Sequence, residues 1–69
     1  MKDYPIEKVL RDASEARRAM GATYYQKWTC RHCGKRQTMK RRNKIFASGK
    51  CEKCEGVSEI VMCNYVVAS

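Results

Sequence analysis

The sequence predicts a small α+β domain, with an N-terminal amphipathic helix followed by three antiparallel strands. Three observations carry that reading. Apolar residues recur every three or four positions between residues 4 and 20. Two later stretches, 22–30 and 57–67, are rich in β-branched and aromatic residues. Two Cys-x2-Cys units, Cys30/Cys33 and Cys51/Cys54, sit 17 residues apart among those strand-forming runs. The 69 residues suffice for a single domain, 1–69. A chain this short buries only about 60% of the surface it exposes when unfolded. An apolar core alone therefore leaves little net stability, and disulfides, a metal or a partner are expected to supply the remainder.

The helix is expected over residues 4–20. Ile6, Val9, Leu10, Ala13, Ala16 and Met20 fall on one face. Asp3 is positioned to cap the N-terminus, and Pro5 suits the first turn, where a missing N–H costs nothing. Glu7 lies near the positive end of the helix dipole, and Arg17 and Arg18 near the negative end. Gly21 provides the left-handed stop. An isolated helix of this length is marginal in water. Its apolar stripe must be covered by the rest of the chain or by a partner.

In the first strand, Tyr24, Gln26 and Trp28 share one face, and Tyr25, Lys27 and Thr29 the other. A returning strand is expected over 36–40, with Gln37, Thr38 and Met39. Residues 41–50 read as a basic loop anchored by Ile45 and Phe46, with Gly49 at a turn. The last strand is expected over 57–67, through Val57, Ile60, Val61, Met62, Tyr65, Val66 and Val67.

The four paired cysteines read as metal ligands. Two cysteines three apart wrap a tight turn, or knuckle, around one ion, and two knuckles complete a tetrahedral four-sulfur shell. Gly34 follows Cys33 and suits the left-handed backbone of such a turn, whereas Glu55 follows Cys54 and Gly56 comes one residue later. The N-terminus has no apolar segment of the secretory kind, and no run approaches the ~20 apolar residues of a membrane span. A reducing, cytoplasmic setting is thus expected, where paired cysteines bind metal rather than form disulfides. The odd total of five cysteines also opposes a closed disulfide framework. Cys63 lies in the apolar run 60–67 and reads as a small buried hydrophobe, with a fifth ligand or an intermolecular disulfide as alternatives. His32 lies inside the first knuckle and reads as an exposed tip residue.

The pattern C-x2-C-x17-C-x2-C resembles the zinc-ribbon superfamily, over roughly residues 24–66. The resemblance implies a three-stranded antiparallel ribbon holding one structural Zn²⁺ on Cys30, Cys33, Cys51 and Cys54. It also implies a binding module more often than an enzyme. Iron held in the manner of rubredoxins would use the same ligand set, but rubredoxins are acidic and separate their knuckles by more residues. The spacing and the run Arg41-Arg42-Asn43-Lys44-Ile45-Phe46 also resemble the zinc finger of DksA/TraR-type RNA polymerase regulators. Those proteins continue into a helix after the second knuckle. Here Gly56-Val57-Ser58-Glu59-Ile60-Val61 prefers strand.

Charge narrows the function. The formal net charge is +8. Residues 1–26 contribute +1 and residues 51–69 contribute −2. Residues 27–50 hold nine cations and no acid. Lys35, Arg36, Lys40, Arg41, Arg42, Lys44 and Lys50 would lie on the hairpin and loop between the knuckles, placed to meet phosphates. Tyr24, Tyr25, Trp28 and Phe46 flank them and could stack on unpaired bases or form the small core. The expected function is nucleic-acid binding, DNA or RNA, within transcription regulation. The alternative is an adaptor whose helix 4–20 docks on a protein partner, including RNA polymerase, or pairs with a second copy. Monomer and homodimer both fit. With one histidine and no catalytic constellation, an enzyme is not expected.

Overall fold

The computed structural model describes residues 2–68. Among these, one helix and six strands form a small α+β fold. The strands are β1 (Tyr4–Pro5), β2 (Thr23–Thr29), β3 (Arg36–Thr38), β4 (Ser48–Lys50), β5 (Val57–Glu59) and β6 (Met62–Ala68), and the helix is α1 (Ile6–Met20). One sheet has the order β1-β6-β2-β3, and β4 and β5 make a second. All pairings are antiparallel. The expected helix-then-strands order holds except for β1, which takes the first two positions of the helix expected over 4–20, and the expected three-stranded ribbon is replaced by sheets of four and two strands.

The spine of the molecule is β2 against β6, with Tyr24 opposite Val67 and Gln26 opposite Tyr65. The alternation read from the sequence is present: Tyr24, Gln26 and Trp28 are buried, and Tyr25 and Lys27 lie half-buried on the other face. Trp28 is the largest fully buried side chain and joins Val9, Ile60, Cys63 and two of the paired cysteines in the core. The rings of Tyr24 and Tyr65 meet edge-on, with centroids 5.9 Å apart at 70°.

The helix packs chiefly on β6. Val9 and Ala13 are buried, while Leu10 and Met20 remain 44% and 68% exposed. The narrow sheet covers only the centre of the apolar stripe. Gly21 ends the helix as expected, at φ 63°, with its N–H on the Arg17 carbonyl at 2.7 Å. The expected Asp3 cap does not form, and Pro5 takes the N-cap position. Pairing of Tyr4 and Pro5 with β6 places the chain so that Asp3 accepts from Arg36 instead, at 2.8 and 2.9 Å. The N–H of Ile6 finds the Val61 carbonyl at 3.0 Å, so the sheet serves one of the donors a cap would have taken.

The expected strand over 57–67 is two strands in two sheets. It breaks at Ile60, whose side chain is buried and whose N–H donates to the Ala47 carbonyl at 2.7 Å. The cause is geometric. The residues before the break pair with β4 and frame the second knuckle, whereas those after it pair with β2. One straight strand cannot do both. Gly49 likewise sits in β4, opposite Ser58, rather than at a turn. A Cβ there would lie 2.8 Å from Trp28 Cζ2 and 3.1 Å from Ile60 Cδ1. Only glycine lets the indole approach this closely.

The basic loop is tied to the free edge of β2. The Met39 N–H donates to the Gln26 carbonyl at 2.8 Å. The fully buried Gln26 amide pairs with the Phe46 backbone in both directions, at 2.7 and 3.0 Å. Asn43, at φ 57°, exchanges bonds with the Tyr24 backbone, at 3.0 and 3.1 Å. The Met39 and Asn43 bonds extend the ladder beyond β3 and close an edge that would otherwise expose unpaired backbone.

The contact beneath the indole generates a prediction. Gly49→Ala will lower stability by about 1–3 kcal/mol through overpacking, read as a shifted urea midpoint. An unchanged midpoint would show that Trp28 can yield.

Candidate metal centre

Each Cys-x2-Cys unit folds into the same six-residue turn. In the first, the Cys30 N–H donates to the Lys35 carbonyl and the Gly34 N–H to the Cys30 carbonyl, both at 2.9 Å. In the second, the Cys51 N–H donates to the Gly56 carbonyl at 3.0 Å and the Glu55 N–H to the Cys51 carbonyl at 2.9 Å. The fifth position of each turn is left-handed, Gly34 at φ 74° and Glu55 at φ 59°. The second knuckle thus asks a glutamate to adopt the backbone that glycine supplies in the first, at a cost of roughly 1–2 kcal/mol.

The short hairpins bring the knuckles face to face. The Sγ atoms of Cys30 and Cys54 lie 3.7 Å apart, and those of Cys33 and Cys51 3.4 Å. All four sulfurs fall within 4.8 Å of one another. A tetrahedral ion with metal–sulfur bonds of about 2.3 Å requires sulfurs about 3.8 Å apart. Cys30 and Cys51 face the core, while Cys33 and Cys54 lie toward solvent. The four expected ligands therefore lie together and could hold one metal ion.

The protonation pattern fits the same chemistry. Backbone amides of Cys33 and His32 hold the Cys30 thiol below its ordinary value. The amides of Cys54 and Lys53, against the opposing effect of burial, bring Cys51 down to about 6. Cys54 goes the other way: the Gly56 amide draws it down, but the Cys51 sulfur and burial prevail and push it up to about 11. Cys33 is raised likewise, the Lys35 amide being outweighed by Cys51 and burial. Four thiols in contact cannot all ionise unaided, and a cation between them removes the conflict. With four protein sulfurs around one ion, no position is left for water or substrate, so the role such a site supports is structural.

One residue around the sulfurs has no signature in the sequence. Gln37 is buried and lies opposite Trp28 in the sheet. Its Nε2 donates to Cys51 Sγ at 3.3 Å and approaches the Lys35 carbonyl at 3.3 Å, while its Oε1 accepts the Glu52 N–H at 3.2 Å. It therefore links both knuckles and bonds a ligand sulfur directly. A glutamine between two charged stretches carries no pattern that announces this. His32 is exposed at the tip and does not join the sulfurs. Cys63 is fully buried within the core, and burial pushes its thiol up.

The cations expected to meet phosphate fall on different elements of the fold. Lys35 leaves the first knuckle and Lys50 enters the second, both exposed. Lys40, Arg41, Arg42 and Lys44 are exposed along the loop tied to β2. Arg36 stands apart: it is half-buried and bonds both Asp3 oxygens and Thr29 Oγ1, the last at 3.2 Å. Comparison of the chain with protein-family models, curated proteins and solved structures returns no match.

Two outcomes test this centre. Chelation under reductant will collapse amide dispersion in the NMR spectrum, and metal retention will weaken in acid as protons compete for sulfur; a chelated protein with dispersed amides would overturn the assignment. Glu55→Gly will stabilise the metal-loaded protein by about 1 kcal/mol by relieving the left-handed backbone, measured by urea denaturation.

Proposed function

We propose that the chain is a zinc-stabilised nucleic-acid-binding module of the zinc-ribbon kind. The observation that carries the reading is the loop 40–44, in which Lys40, Arg41, Arg42 and Lys44 are exposed while Asn43 anchors the backbone to β2. Cations on a fixed backbone lose less freedom on meeting phosphate than cations on a loose tail. Lys35 and Lys50 extend the positive surface toward the knuckles. Zinc is the ion of choice because a saturated four-thiolate shell needs no redox change and no open position. The thiolates point to a reducing, cytoplasmic setting.

Within this reading Arg36 serves structure first, through Asp3. The protein acts by binding rather than by catalysis. Transcription regulation is the setting we propose. The likeness to DksA/TraR-type regulators is confined to the finger, because strands β5 and β6 follow the second knuckle where those proteins have a helix. The adaptor alternative loses part of its motivation, since Val9 and Ala13 are already covered by the sheet and only Leu10 and Met20 stand out from the stripe. Among the described residues, no helix is long and apolar enough to cross a membrane.

Binding should be dominated by phosphate contacts and fall steeply with salt. In anisotropy titrations against labelled DNA and RNA, Arg41→Ala with Arg42→Ala will preserve the fold and lower the slope of log affinity against log salt by about 2. Absence of affinity for either polymer at low salt would remove the proposal.

A further inference from the structure

Beside β3, the edge strand of the main sheet, lies a cleft of about 600 Å³, lined in part by Tyr25, Arg36, Thr38, Met39, Lys40 and Glu52. Its chemistry is mixed in a way that selects a ligand. An inorganic anion drawn to Lys40 would also meet the Glu52 carboxylate. A purely apolar ligand would strand the Lys40 and Glu52 charges, Arg36 beside them being held by Asp3. A nucleotide unit suits all of them: a flat base against the Tyr25 ring and the Met39 thioether, base N–H groups toward Glu52 or the Thr38 hydroxyl, and the adjoining phosphate on Lys40.

The surroundings favour the same occupant. Of the four aromatics flanking the basic stretch, Tyr24 and Trp28 are buried in the core, and the Phe46 backbone is held by Gln26. Tyr25 instead lines the cleft, half-buried. Lys40 both lines the cleft and opens the run Lys40-Arg41-Arg42-Asn43-Lys44, so a polymer with a base in the cleft finds cations for its next phosphates along the chain. That run is held to β2 on either side of Lys40 by the Met39 and Asn43 bonds, which fixes the positive track relative to the ring. A paired, stacked base cannot present its face to a ring set in a sheet surface.

We propose that this cleft is a subsite for an unpaired nucleobase, so that the protein prefers single-stranded to duplex nucleic acid. The inference rests on the nucleic-acid reading above and narrows it. The experiment is an anisotropy titration at low salt with a short labelled mixed-sequence oligonucleotide, alone and annealed to its complement. The single strand should bind more tightly. Tyr25→Val should weaken single-strand binding by about fivefold or more and leave duplex binding unchanged, and Tyr25→Phe should behave as the unmodified protein. On the unmodified protein, the Tyr25 ring protons should move upfield when the single strand is added. If Tyr25→Val does not fold, that ring shift and the ratio of single-strand to duplex affinity decide the matter. Equal affinities with no ring shift would overturn the subsite and leave the basic loop as the binding element. No binding of either form would overturn the nucleic-acid reading itself.

Discussion

Four sulfur atoms within one metal's reach tie the small sheet to the large one, beside the packing of Trp28 on Gly49 and Ile60. The second sheet has only three residues in each strand, too few to stand alone in water. Its strands lead directly into and out of the second knuckle, and the first knuckle closes the β2–β3 hairpin. Bringing the knuckles together therefore docks the small sheet on the large one. Repulsion among crowded thiolates opposes that docking unless a cation lies between them, which makes the cohesion of this region conditional in a way that Trp28 packing is not.

Around the sulfurs the chain uses polar groups where a larger protein would use apolar ones. Gln26 and Gln37 are both buried, and each spends its amide on backbone that no strand reaches. The first holds the loop beside β2, and the second joins the two knuckles. A buried amide with satisfied donors and acceptors orients its neighbours more sharply than a methyl group can, because a displaced partner leaves a polar atom unpaired. Two polar atoms do remain without partners among the described residues, Trp28 Nε1 and Ser58 Oγ.

Surface chemistry divides along the same lines. Asp3 neutralises Arg36, a cation held close to the sheet, while the cations of the loop 40–44 project outward. Unequal treatment of neighbouring positive charges separates those that support the fold from those available to a partner. Tyr25 lines the same cleft as Lys40, the first cation of that loop, so the aromatic and cationic elements of the proposed binding surface adjoin.

Local signals in the sequence were sufficient for several features that depend on near neighbours along the chain. The helix and its Gly21 stop, the in-out alternation of Tyr24 to Trp28, and the candidate ligand set Cys30, Cys33, Cys51 and Cys54 all follow from spacing, because periodicity and tight turns are properties of a few consecutive residues. Tertiary structure alone decided the rest. The run 57–67 reads as one strand until two different partners, β4 and β2, divide it at Ile60. Asp3 looks like a cap until β1 pairs with β6 and places it beside Arg36. Gly49 looks like a turn until the indole of Trp28 rests on it, and Gln37 looks like any strand residue until two knuckles meet over its amide. Each of these outcomes is set by contact between segments distant in the chain, and no local pattern encodes which distant segment will arrive.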